Sequence, residues 1–232
     1  MSNPVHDRLE LILEYEAAFR LEKVFEERRA VLKNIPGFWP TALHNHALLA
    51  AASGYADDQK ALGFLQDVWV ARNPRDHRAY TIEFHFDTNP FFHDAILKKE
   101  YKFVSPEEVA SLSKEEYLAS EAFLNYDQSR DTEASVYSIN WKDPENALTK
   151  QYPRISNPED PVVIDDLGSF FNIFEEKDAD AELENQIAFD WFPNVIEYFF
   201  NRGENVKDEE DEEDGSDEED IDLENPKKKA KK

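Results

Sequence analysis

The 232-residue chain is long enough for one sizeable core plus a tail, and its 51 acidic against 26 basic residues give a formal charge of −25. A surface this negative repels phosphate backbones, so direct nucleic-acid binding is disfavoured and a strongly basic partner is favoured. The lack of cysteine excludes disulfides, thiolate metal sites and a Cys nucleophile; with no membrane-length apolar run and no leader-like first residues, the chain reads as soluble and intracellular.

Residues 5–34 contain neither Gly nor Pro, follow Pro4 and stop before Pro36-Gly37, which predicts a single helix. At ~1.5 Å per residue it spans roughly 45 Å, longer than a small domain is wide. Leu11, Ala18, Leu21, Phe25 and Leu32 fall on a seam, continued by Ile35 and widened by Leu9, Ile12, Leu13 and Phe19. Glu14 and Arg28 interrupt it, so the helix is not an idealised parallel zipper. A helix that outruns its own domain needs a partner for the excess, and a second copy is the simplest one. Those five seam residues are therefore assigned to dimerisation.

A mainly apolar helical stretch is predicted over residues 41–52 and a short helix over 57–66, with Asp57 or Asp58 as its cap. Strands follow at residues 68–72 and 79–87, joined by the Asn73-Pro74-Arg75-Asp76 turn. In the second, Tyr80, Ile82, Phe84 and Phe86 share one face while Thr81, Glu83 and His85 share the other. Further strands are expected at 95–104 and 135–141, with a helical insertion over 105–132 between them, giving an antiparallel meander with one face covered by helices. Residues 142–161 are polar and Pro-rich and read as a loop. Helices are predicted at 167–174, capped by Asp165 or Asp166, then through Phe189, and at 194–200. Beyond Asn205 the composition is that of a disordered acidic run ending in lysines; residues 208–232 hold 13 acidic and five basic residues, so most of the charge deficit belongs to the body.

Chemistry-bearing motifs are scarce. His44-Asn45-His46 places two histidines two apart, which on a helix point away from one another, and no ligand set completes them. Neither a dinucleotide fingerprint, a P-loop nor a nucleophile elbow occurs, so no enzyme activity, cofactor or metal is expected. Lys227, Lys228, Lys229, Lys231 and Lys232 fit a short nuclear-localisation cluster, and Ser216 lies in an acidic kinase context.

Ile35-Pro36-Gly37-Phe38-Trp39 directly after a long helix resembles the entry to the nucleosome assembly protein fold, in its SET (template-activating factor) branch. Three further stretches resemble the same branch in the same order. They are Tyr80 to Asp87 running into Thr88-Asn89-Pro90-Phe91-Phe92, then Ile139-Asn140-Trp141-Lys142, then Ser169-Phe170-Phe171 with Trp191-Phe192-Pro193-Asn194 and Tyr198. The resemblance implies an α+β fold: a long dimerisation helix (residues 1–36), an earmuff domain with a roughly four-stranded antiparallel sheet under helices (37–204), and an acidic tail (205–232). It implies a homodimeric histone chaperone, nuclear or shuttling between nucleus and cytoplasm, that takes core histones, H3–H4 foremost, in nucleosome assembly and disassembly. Their contact surface maps to Glu175, Glu176, Asp178, Asp180, Glu182 and Glu184. The alternative expectation is a regulatory binding protein that inhibits or tethers a phosphatase or a histone acetyltransferase, with the 105–132 insertion as the contact.

Overall fold

A computed structural model describes residues 4–105, 107–156, 164–177 and 181–202. Helix α1 (Pro4–Leu32) leads into α2 (Phe38–His44), α3 (Ala47–Ala52) and α4 (Ala56–Leu62). Strands β1 (Leu65–Arg72), β2 (Tyr80–Phe86) and β3 (Ile96–Phe103) follow. The short helices α5 (Lys114–Leu118), α6 (Glu121–Leu124) and α7 (Gln128–Asp131) come before β4 (Thr132–Ala134). Then come α8 (Leu148–Gln151), β5 (Ile155–Ser156) and β6 (Ile164–Asp166). The chain closes with α9 (Asn172–Glu175), α10 (Ala181–Asn185), a π-helical segment at Gln186–Trp191 and α11 (Val195–Phe199).

β1 to β4 form the antiparallel meander in chain order. β2 shows the expected alternation: Tyr80, Ile82, Phe84 and Phe86 are buried and the intervening side chains half-buried. The buried row meets the C-terminal aromatics, Phe84 against Phe170 and Phe174, Phe86 against Phe171, and Tyr80 against Phe189. Each such ring removed from water contributes roughly 1.5–3 kcal/mol, so this layer dominates the core.

α1 runs past the edge strand β1 in the opposite sense, with Arg29 on Asp67 and Trp69 near one end and the Tyr15 hydroxyl on the Pro74 carbonyl (2.6 Å) nearer the other. Two buried clusters hold it. The large one takes Leu32 and Phe25; a smaller one gathers Tyr15, Val109, Tyr117, Leu118 and Phe123, with Leu11, Ile12 and Phe19 packed against it.

Several expected boundaries change. The 41–52 stretch breaks in two because the Asn45 amide donates to the Tyr198 carbonyl (2.8 Å) and His46 Nδ1 caps α3 through Leu49 N (3.3 Å). β1 starts three residues early, at Leu65, and α4 ends at Leu62. The fourth strand is Thr132–Ala134, not 135–141. The latter segment leaves β3 after the Ser135 N to Glu100 O bond (2.8 Å) and is spent on irregular anchors, such as Tyr137 N to Phe174 O (2.7 Å) and an isolated bridge between Trp141 and Phe92. The 142–161 loop contributes a strand, Ile155–Ser156, which pairs with β6, and Asp166 lies in β6 instead of capping a 167–174 helix. Only Asn172–Glu175 of that helix forms.

Candidate functional site

The six carboxylates assigned to a protein-binding surface do not act alike. Glu175 is held inward: Oε1 accepts from Ile139 N (3.0 Å) and Trp141 Nε1 (3.0 Å), Oε2 from Thr149 Oγ1 (2.6 Å). Glu184 is fully buried, accepts the Tyr101 hydroxyl and faces Lys99 Nζ at 3.5 Å. Lys99 is equally buried and also donates to the Glu176 carbonyl (2.5 Å). These two glutamates are therefore corrected from surface contacts to internal fasteners: Glu175 ties α9 to the 139–149 segment, and Glu184 ties α10 to the sheet. For Glu184 the cause is the sheet itself: β3 alternates so that Leu97, Lys99 and Tyr101 point into the core, and a buried ammonium requires a carboxylate. Glu176 is half-buried and Glu182 exposed, while Asp178 and Asp180 lie outside the described residues. What separates Glu184 from its neighbours in the sequence is the lysine at an inward β3 position, a signal that only becomes readable once the strand's register is known.

Asp58, expected as a helix cap, serves this corner instead. Fully buried, it accepts from Ser169 Oγ (2.6 Å) and Phe170 N (2.8 Å), and burial pushes its pKa up to about 6. Gly168 just before has φ +66° and lies so close to Tyr152 O and Asn172 Nδ2 that a Cβ would collide with both. The Ser169-Phe170-Phe171 motif is thus a turn clamped from two sides, and this clamp aims the two rings at β2.

The dimerisation seam also divides. Leu32 is buried in the large cluster, Phe25 packs on Phe192 (5.2 Å) and Leu11 on the small cluster, so these three face the chain's own body. Ala18 and Leu21 border a groove beneath the helix. The uncovered apolar stripe is a different one: Val5, Leu9, Leu13, Val24 and Val31, with Leu13 60 %, Val24 53 % and Val31 63 % exposed. Helical spacing puts Leu9, Leu13, Val24 and Val31 on the side opposite Tyr15 and Leu32, so α1 is apolar on two faces, one inward and one free. Leu9 and Leu13, read from the sequence as a widening of one seam, belong to the free face.

His44 is exposed, His46 caps α3, and among the described residues no group of three or more His, Cys, Asp or Glu side chains is placed to hold a metal ion. No helix among them is long and apolar enough to cross a membrane. The terminal lysines lie outside the described residues. The 105–132 insertion does not stand free; its core residues pack on α1, and Arg75 donates to the carbonyls of Val109 (2.7 Å) and Leu112 (2.8 Å).

The family model described as "Nucleosome assembly protein (NAP)" matches residues 14–225. A putative nucleosome assembly protein of Schizosaccharomyces pombe is 31% identical over 218 residues, covering 90% of this chain and 50% of that protein. Nucleosome assembly protein 1;3 of Oryza sativa subsp. japonica is 30% identical over 209 residues (80% and 61%), and human protein SETSIP is 28% identical over 200 residues (82% and 56%). The chain thus spans between half and two thirds of these relatives' length. Among solved structures, a Ccp1 mutant superposes with a TM-score of 0.56 at 20% identity over 86% of this chain and 91% of that one. Vps75 does so with 0.56 at 16% identity over 84% and 92%. The meander under aromatic helices, the long leading helix and these matches place the chain in the nucleosome assembly protein family.

Proposed function

We propose that the chain is a non-enzymatic histone chaperone, a homodimer that takes core histones on a carboxylate-rich surface. The observation that carries this reading is that the acid surplus sits on a folded body of this family, not only in the tail. Exposed ion pairs contribute only about 0–1 kcal/mol each, so a basic protein is held by many shallow contacts. Such contacts neutralise it, prevent trapping on DNA and leave it open to displacement when DNA competes. Within the acidic segment, Glu176 and Glu182 with Asp178 and Asp180 are assigned the histone contact, and H3–H4 is the preferred pair. The terminal lysines are assigned nuclear import.

The free stripe of α1 supports the dimer. An antiparallel copy centred near Ala18 sets Val5 against Val31 and Leu13 against Val24, burying apolar groups that a monomer leaves in water. Light scattering of the Leu13→Asp/Val24→Asp variant is expected to give half the wild-type mass with an unchanged circular dichroism spectrum; a mass equal to wild type removes this interface. For the histone contact, reversing Glu176, Asp178, Asp180 and Glu182 to lysine should abolish pull-down of purified H3–H4 at moderate salt. Retention equal to wild type refutes the assignment.

A further inference from the structure

The inward face of α1 does not touch the body along its whole length. The helix is fixed at Tyr15 and again at Phe25, and between them it arches over a groove of about 350 Å3. Ala17, Ala18 and Leu21 form its roof; Val70, Phe189 and Phe192 line the rest.

Arg72 lies in this wall. Nη2 donates to the Ala188 carbonyl (2.5 Å) and the guanidinium stacks on Phe189 (4.0 Å), while Nη1 is buried without a hydrogen-bond partner. Among the described residues no carboxylate stands within ion-pair distance of it, and with its pKa lowered by burial to about 10 it is still charged at neutral pH. Of the other polar groups lining the groove, Arg78 is already paired with Asp76, His77 is deprotonated by burial, and Glu14 and Glu22 are exposed. A half-buried guanidinium with a buried, unpaired Nη1 and no counter-ion, set in an apolar groove, calls for an occupant that brings both aliphatic surface and a carboxylate.

The chain itself carries such a segment. Ile221 and Leu223 are the only large apolar side chains in residues 208–232, and they are interleaved with Asp220, Asp222 and Glu224. Nineteen positions separate Arg202, the last described residue, from Ile221, ~60 Å of extended chain. That exceeds the ~43 Å length of α1, so the segment reaches the groove without strain. We propose that residues 221–223 dock in the groove of their own chain, the two aliphatic side chains beneath α1 and a neighbouring carboxylate on Arg72. The acidity of the body opposes the approach, so docking depends on the aliphatic pair and the Arg72 contact, helped by a tether that supplies ~mM effective concentration.

Because the chain lacks cysteine, full-length protein carrying Asn194→Cys and Asn225→Cys can be labelled with a donor–acceptor pair and mixed with excess unlabelled chain. Energy transfer should be high, and the docked fraction should fall about tenfold or more in Ile221→Ser/Leu223→Ser, where two buried aliphatic groups are lost. Arg72→Met should lower it in the same direction; the tail variant keeps the test valid should Arg72→Met disturb the fold. Transfer that ignores the Ser substitutions means general compaction and overturns the proposal. Transfer that vanishes on mixing means the segment docks on a second copy and overturns it as well.

Discussion

The two clusters that hold α1 differ in kind. The large one is the body's own core, with sheet, aromatic helices and the end of α1 in one continuous apolar mass. The small one is a clamp built around a turn: Tyr15, Tyr117 and Phe123 surround residues 73–78, and its polar groups are as organised as its rings. Asp76, fully buried, accepts two bonds from the Arg78 guanidinium (2.8 and 2.7 Å), one from Arg78 N (3.0 Å) and one from the Tyr117 hydroxyl (2.8 Å), and Arg75 stacks over the Tyr117 ring (4.4 Å). The large core shares no buried residue with the clamp. The clamp has no reason to form without β1 and β2, because the turn at its centre exists only once those strands pair. α1 is thus aimed by two separate fastenings, of which only one belongs to the core shared by the sheet and the C-terminal helices.

This contrast can be broken in order of size. Trp191 is fully buried and donates Nε1 to the Ala42 carbonyl (3.0 Å); Trp191→Ala should cost about 3–5 kcal/mol in denaturant unfolding and destabilise the whole body. The Lys99→Met variant strands Glu184 and should cost a comparable ~3–5 kcal/mol, whereas Lys99→Met/Glu184→Met should recover much of it, because removing both charges removes the desolvation penalty. A double variant no better than the single would show the pair to be favourable in itself.

Phe123→Ala should cost about 3 kcal/mol, but only locally: hydrogen exchange should accelerate over residues 8–19 and 107–126 while the sheet keeps its protection. Equal loss of protection in β2 and β3 would make the two regions one cooperative unit.

The smallest effect is in acid, where each region contributes one group and the two oppose. Native Asp58, in the large core, takes up its proton at about 6 against an ordinary 3.8, so its contribution to stability is full below 3.8 and lost as pH rises through 6. His77, at the clamp, is lowered by burial from 6.5 to about 4, so its contribution is present above 6.5 and lost as pH falls through 4. Each is worth at most about 3 kcal/mol, and over pH 4–6 they nearly cancel. Asp58→Asn should leave stability falling more steeply on acidification than in wild type, and His77→Gln less steeply; parallel curves for all three proteins would contradict both assignments.

Local periodicity and Pro and Gly punctuation are enough to read the long helix, the inward row of β2 and the first three strands in their order. It also showed family resemblance at the motifs that the structure places in the core, Phe38-Trp39, Ser169-Phe170-Phe171 and Trp191-Phe192. The fate of individual polar side chains was settled by long-range packing instead. Asp58 and Glu184 look like ordinary surface acids along the chain, yet each is buried because a residue about 85–111 positions away supplies its partner. Likewise Leu11 and Leu13 are equivalent in composition, but the clamp covers one and leaves the other free. Periodicity records that a helix has two apolar faces; which of them the body takes depends on long-range packing, which no local pattern encodes.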